Sequence, residues 1–323
     1  MKETRNMLNI LSVISLLCMI FIDAACVPQE TEDKKMERLR RALKEVRFVA
    51  YGPSQYNPLP QEFMPANELT ILTDLQILRP YFDGLILYSC NSAHGLEKIV
   101  PIAATLKYRA VIMGIWNITS EDEIATAIRL AKEYPLLIVA IIVGNEGILR
   151  GPRGGYDYPT LEAAIKKVRE ALPNVALSTS EPIIDYGDED LRRITDFHAP
   201  NIHPWFAGTE RRRNYRAAVD WVKSWVKSLQ KVSDKSILVH ETGLPSGPEP
   251  YASPELQKNF WETLFAEMPN TESCGIAFFE GFDAGEWKMK TNPSDISEVE
   301  IHWGAFTNDR NPKPIVKVLP KVK

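Results

Sequence analysis

The chain has 323 residues, 45% of them apolar and 25% charged, with 38 Lys plus Arg against 42 Asp plus Glu for a net charge of −4. This composition suits a folded globular protein and excludes disordered, collagen-like and coiled-coil chains. The slightly acidic balance also argues against a nucleic-acid binder, which carries a basic patch and a high pI.

Length alone allows two domains of ~150 residues or one α/β barrel of ~250. At the N-terminus, Lys2 and Arg5 precede a mostly apolar run from Leu8 to Ile22. The run is shorter than the ~20 residues of a spanning helix and reads as the core of a secretory signal. Ala24, Ala25 and Cys26 follow. The pattern resembles a bacterial lipoprotein signal, which implies cleavage before Cys26 and a lipid on its thiol. The expected location is therefore secreted or cell-envelope, as a membrane-anchored lipoprotein, periplasmic or on the cell surface. Asp23 departs from that motif, and an uncleaved N-terminal anchor is the alternative. Residues 1–25 are expected to be the signal, 26–45 a charged tether or leading helix, and 46–323 the folded unit.

From residue 46 onward, apolar runs of strand length alternate with amphipathic stretches. Strands are expected at Val46–Gly52, Gly84–Cys90, Arg109–Trp116, Leu137–Glu146, Val175–Glu181, Phe197–His203, Ser236–Glu241 and Cys274–Gly281. Helices are expected at Asn67–Arg79, Gly95–Leu106, Ser120–Lys132, Pro159–Ala171, Asp188–Thr195, Asn214–Lys231, Pro254–Glu267 and Lys313–Leu319. Thr119-Ser120 and Ser253-Pro254 supply helix-start signals, with Pro in the first turn of the second. Leu136–Val143 is apolar on consecutive residues, as a parallel strand buried on both faces must be. Strands each followed by a helix, with no break in composition, point to the α/β class and a single (β/α)8 TIM barrel. An open doubly wound sheet is the runner-up, weakened by the lack of a Gly-x-Gly-x-x-Gly turn after the first strand. Cys18 falls in the signal. Cys90 ends one expected strand and Cys274 begins another, so both are expected to be free, structural thiols.

In such barrels the chemistry lies at the C-terminal ends of the strands. Those ends are polar here: Tyr51, Tyr88, Trp116, Asn145-Glu146, Glu181, His203 with Trp205, His240-Glu241, and Glu280 with Asp283. Carboxylates there are costly to bury unless paired or used. Glu146 and Glu241 end the fourth and seventh strands, which lie roughly opposite one another across a barrel mouth. Facing carboxylates over a cleft suit glycoside hydrolysis, one protonated and one ionised. The plainer reading is two strand-end acids paired with loop Arg or Lys. No Cys/His cluster has metal-ligand spacing, and no cofactor is expected. Arg211-Arg212-Arg213 reads as a solvated face.

Several short runs then match one family in order along residues 46–320. Val143-Gly144-Asn145-Glu146 resembles the acid/base strand of glycoside hydrolase family 17, and Glu241-Thr242-Gly243-Leu244-Pro245-Ser246 its nucleophile strand. Asp74-Leu75, Tyr88-Ser89, Met113–Trp116, Asn201–Phe206, Phe278–Asp283 with Trp287-Lys288, and Trp303–Phe306 with Pro312–Pro314 continue the likeness. The resemblance implies retaining β-1,3-glucan hydrolases and glucanosyltransferases. It implies Glu146 as acid/base, Glu241 as nucleophile, Asn145 on the sugar 2-hydroxyl, and Tyr88 on the nucleophile or the adjacent sugar. The chain departs at Ile86, where the family has an Arg that supports the nucleophile, at Leu244 for Trp, and at His203 for Tyr. Glu241 must then be kept ionised some other way, by His240 or His203.

Other residues are weighed beside these. Trp116, Trp205 and Trp287 are expected to stack on sugar rings, or else to pack in the core. Glu280 is expected to bind a sugar hydroxyl or to hold Lys288, itself a candidate substrate contact. Glu181 and Tyr51 are expected at the sugar too, with a loop anchor as the alternative for Glu181. Gly144 and Gly147 let backbone come close around Glu146. The expected partner of this monomer is a β-glucan polysaccharide or oligosaccharide. The competing readings are a non-catalytic glycan-binding lipoprotein on a decayed barrel and a glycosidase for another β-glycan.

Overall fold

The computed structural model describes residues 29–150, 155–248, 250–291 and 297–322. The expected signal, Cys18 and Cys26 lie outside the described residues. The segment read as tether or leading helix is a helix, Gln29–Glu45. Its buried stripe of Met36, Leu39, Ala42 and Leu43 follows helical spacing. Leu43 packs so closely on Gly275 that a β-carbon there would meet its side chain at 3.0 Å. Lys35, itself buried, donates to Asp196 at 3.1 Å. Asp196 also accepts from Arg169 and from the Leu177 amide.

The strands are β1 (Phe48–Ala50), β2 (Gly84–Ile86), β3 (Ala110–Ile115), β4 (Ile138–Asn145), β5 (Ala176–Ser180), β6 (Ile237–Val239) and β7 (Cys274–Ile276). All pairings are parallel: β1 to β5 form one sheet in chain order, and β6 and β7 form a second. The register runs Ala50, Ile86, Ile112 across the first three strands. Consecutive residues of each strand are buried, apart from Asn145 at the tip of β4. The architecture is α/β with parallel strands.

The expected sixth strand, Phe197–His203, is not a regular strand. It makes isolated parallel bridges, His198 to Ile237, Asn201 to Glu241 and Pro182 to Asn201. Pro200 has no N–H and breaks the ladder between them. The expected strands at 46–52, 84–90, 236–241 and 274–281 shorten to three residues each. Backbone bonds nevertheless run beyond them. Ala50 N–H donates to Phe278 O and Phe278 N–H to Phe48 O, both at 2.9 Å.

Most helices follow their sequence signals. Glu68–Leu78 is capped by Asn67, Glu121–Glu133 by Ser120, and Pro254–Glu267 by Ser253. Tyr158–Ala171, Glu189–Ile194 and Tyr215–Val232 lie where helices were expected. Two expectations fail. The helix from Gly95 to Leu106 is instead a 3-10 turn, Leu96–Lys98, followed by the shorter helix Ile99–Thr105. Gly95 has φ +75°, and a β-carbon there would meet Ala66 O at 2.4 Å, so the chain turns where only Gly fits. The last expected helix, Lys313–Leu319, is a single 3-10 turn, Pro314–Lys317. Cys90 and Cys274 are free and buried.

Candidate active site

Glu146 follows the tip of β4 in a left-handed backbone, φ +52°, next to Gly144 at φ +82°. A non-glycine residue holds that conformation only where its surroundings over-determine it, and such positions cluster at functional sites. Its N–H donates to Ser180 O at 2.7 Å. Its carboxylate accepts from Asn201 Nδ2 at 2.9 Å, and the same NH2 group reaches Asn145 Oδ1 at 3.3 Å. The other end of the Asn201 amide is fixed as well. Its Oδ1 accepts from Ser180 Oγ at 2.8 Å and lies 3.3 Å from His240 Nδ1. With donors on the oxygen side, the NH2 group is turned to Glu146.

Glu241 ends the segment after β6. Its Oε2 lies 3.0 Å from His203 Nε2, and its Oε1 lies 3.8 Å from His240 Nδ1. Burial alone would raise this carboxyl. The His203 hydrogen bond, with the charges of His203, His240 and Lys288, outweighs burial and holds it down at about 2. Glu241 is therefore ionised at neutral pH. His203 is itself boxed edge-on by Phe279 and Trp303 at 5.3 Å and Phe206 at 5.8 Å. His240 is buried, and burial lowers it to about 4, so it is neutral in the same range. Of the two histidines expected to replace the missing Arg, His203 makes the direct contact.

Tyr88 lies near both acids, and its buried hydroxyl has no hydrogen-bond partner among the described residues. Burial pushes its phenol well above the ordinary value, and the Glu241, Glu280 and Glu146 carboxylates push it further. Lys288 faces the same group: burial lowers it, but Glu280, Glu300, Glu241 and Glu146 together raise it. Its ammonium also sits 5.5 Å over the Phe279 ring. Glu280 is raised to about 7 by burial, against the pull of Lys288. Its Oε1 is buried with no hydrogen-bond partner among the described residues. The structure thus gathers Tyr88, Asn145, Glu146, His203, Glu241, Glu280 and Lys288 in one place.

Other candidates stand elsewhere or do something else. Tyr51 is buried, and its hydroxyl donates to Asp74 at 3.0 Å, a structural task in place of a sugar contact. Trp205 is only 2% exposed, with Arg212 over its ring at 5.3 Å, so it offers no open stacking face. Glu181 is fully buried and accepts from Tyr156 at 2.8 Å and Thr179 at 3.2 Å, so it anchors a loop. Burial raises it to about 7. Trp116 is 45% exposed beyond β3, and Trp287 is half-buried against Tyr56. The three arginines are not a plain solvated face: Arg211 lies over Trp221, Arg212 over Trp205 and Arg213 over Tyr251.

Sequence reasoning missed two residues in particular. Asn201 has no sequence signal for its role beyond its place two positions before His203 on the same extended segment. Glu123 stands in the first turn of the helix Glu121–Glu133, where nothing in the sequence sets it apart from the acids beside it. It is buried and accepts from the amides of Trp116 and Asn117, both at 3.0 Å, and from Ser89 Oγ at 2.6 Å, so it pins the loops after β2 and β3. Among the described residues, no group of three or more His, Cys, Asp or Glu is arranged to hold a metal ion. What the site offers is one carboxylate held ionised, another steered by an amide, and a cation and a phenol that feel both acids. That suits displacement at a carbon with proton transfer to the leaving oxygen.

A family model described as the BtgE/BtgC glycoside hydrolase domain matches residues 49–304. A glucan 1,3-beta-glucosidase of Arthroderma benhamiae is 25% identical over 259 residues, covering 74% of this chain and 82% of that protein. Among solved structures, an endo-laminarinase from Formosa superposes with a TM-score of 0.68 at 19% identity, over 84% of this chain and 85% of that one. A glycoside hydrolase family 17 β-1,3-glucanosyltransferase from Rhizomucor miehei does so with a TM-score of 0.62 at 20% identity, over 84% and 96%. At these identities the structural likeness speaks for the fold.

Proposed function

The chain belongs to the BtgE/BtgC glycoside hydrolase domain family, a group like glycoside hydrolase family 17, and from that premise we propose a retaining enzyme for β-1,3-linked glucan. The observation that carries the reading is the unequal treatment of two acids. His203 holds Glu241 as a carboxylate, while Asn201 grips Glu146. In this mechanism Glu241 attacks the anomeric carbon and the bond to the leaving oxygen breaks. Glu146 gives that oxygen its proton. A glycosyl-enzyme ester forms on Glu241. Glu146, now ionised, takes a proton from water or from an acceptor sugar hydroxyl, which displaces Glu241. Asn201 orients the Glu146 carboxyl for both transfers. Asn145, Tyr88, Glu280 and Lys288 surround the sugar.

We place this site on a closed (β/α)8 barrel spanning 46–323. The parallel bridges from β5 through Asn201 and His198 to β6, and from Phe278 back to β1, support that reading. The names of the relatives support the β-1,3 linkage. The pattern of residues 1–26 supports export as a lipid-anchored protein of the cell envelope. Metabolic labelling with a radioactive fatty acid, with Cys26→Ser as control, tests the anchor.

The catalytic roles are tested on laminarin. Glu146→Gln and Glu241→Gln should each lower sugar release by several orders of magnitude while binding persists. With Glu146→Ala and an activated aryl glycoside, added azide should restore turnover and yield a β-glycosyl azide. Full activity in either Gln variant overturns the assignment. Linkage-defined oligosaccharides then separate β-1,3 from other β-glycans, and product lengths separate hydrolysis from transfer.

A further inference from the structure

Gly144 and Gly147 bracket Asn145-Glu146, and one side chain fills the space beside both. A β-carbon on Gly144 would lie 2.1 Å from the Tyr156 hydroxyl oxygen, and one on Gly147 would lie 2.1 Å from Tyr156 Cε1. The Tyr156 ring therefore lies against bare backbone on either side of Glu146, and its N–H donates to Gly147 O at 3.3 Å. The far end of the ring is tied down too. The hydroxyl donates to Glu181 Oε1 at 2.8 Å. Thr179 Oγ1, at 3.2 Å from the same carboxylate oxygen, also reaches Gly144 O at 3.5 Å. Glu181 is fully buried at the end of β5, so it is a fixed point. The turn being held is one that needs holding, with Gly144 at φ +82° and Glu146 at φ +52°.

We infer that Tyr156 is a positioning residue for Glu146, a strut from Glu181 to the two-glycine socket that keeps the Glu146 turn in its left-handed form. The inference rests on the reading of Glu146 as proton donor. Asn201 steers the Glu146 carboxyl, Ser180 O holds its amide, and Tyr156 sets the backbone from which both act. A small displacement of a catalytic group costs up to ~100-fold in rate, so the strut bears on turnover more than on binding.

The test compares laminarin with a dinitrophenyl β-laminaribioside, whose leaving group departs without protonation. Tyr156→Phe removes only the hydroxyl, Glu181→Leu removes its acceptor, and Gly147→Ala pushes the ring out of the socket. Each should lower kcat on laminarin by about 10-fold or more, with KM little changed. Each should leave kcat/KM on the dinitrophenyl substrate near that of the unaltered protein, because that step does not use the acid. No loss on laminarin, or equal losses on both substrates in variants of native circular dichroism, overturns the inference. Glu146→Gln runs alongside. If it does not show the same split between substrates, the proton-donor reading has failed, and not the strut alone.

Discussion

His203 and Glu241 make the contact on which the proposed chemistry rests, and the pH dependence it predicts has a definite sign. Burial works to raise the Glu241 carboxyl, and His203 is the main force that lowers it to about 2. His203→Phe keeps a ring in the box of Phe206, Phe279 and Trp303 but removes the donor. The Glu241 pKa should then move up, to its ordinary 4.5 or beyond. The acid limb of kcat/KM should follow it to higher pH, so activity is lost earlier on acidification. At pH 7 the variant should be slower by roughly 10–100-fold, the scale of a lost hydrogen bond to a charged group. An unmoved acid limb would show that another group keeps Glu241 ionised. The identities of these residues were legible in the sequence, because each ends an apolar run with a polar side chain. Their partners were less so. Trp205 and Tyr51 stand at strand ends like the others, yet burial and Asp74 take them out of the cleft.

Among elements, the leading helix Gln29–Glu45 shows most plainly what composition conceals. Its charges suit a tether as well as a leading helix, and the choice falls to the helix because every third or fourth residue from Met36 is apolar and buried. Leu43, fully buried against Gly275, should be costly to truncate. Leu43→Ala is expected to destabilise by ~2–5 kcal/mol, read as a lower denaturant midpoint with an unchanged slope. A neutral result would make the helix an appendage. Strands were legible because both faces of a parallel sheet are buried and the runs are continuously apolar. Helices with a Ser or Asn cap were legible to within a residue or two. The failures were local breaks: Pro200 interrupts the sixth strand, and the segment after the left-handed Gly95 opens with a 3-10 turn before the helix Ile99–Thr105. Neither changes hydrophobic periodicity, so the pattern runs through them.

For the molecule as a whole, contacts between the ends of the chain decide how it unfolds. β1 exchanges two backbone bonds with Phe278. Arg310 reaches the buried Asp74, and Lys313 binds the Asp283 carboxylate beside the site. These long-range ties join early and late elements into one unit. Thermal or urea unfolding should therefore be a single transition, with far-UV circular dichroism, tryptophan fluorescence and activity lost together. Separate midpoints would divide the chain into two units. Among the described residues no helix is long and apolar enough to cross a membrane.

The sequence by itself determined the order of strands and helices, the burial of the strands, and which carboxyls stand at strand ends. Those follow from local periodicity and capping, which need only neighbouring residues. Only the tertiary structure decided what each carboxyl does. Asn201 is 55 residues from Glu146, and His203 is 38 residues from Glu241. Tyr156 finds Glu181 across 25. A carboxyl's charge is set by the donors and the burial within a few ångströms of it, and the fold alone brings those donors there.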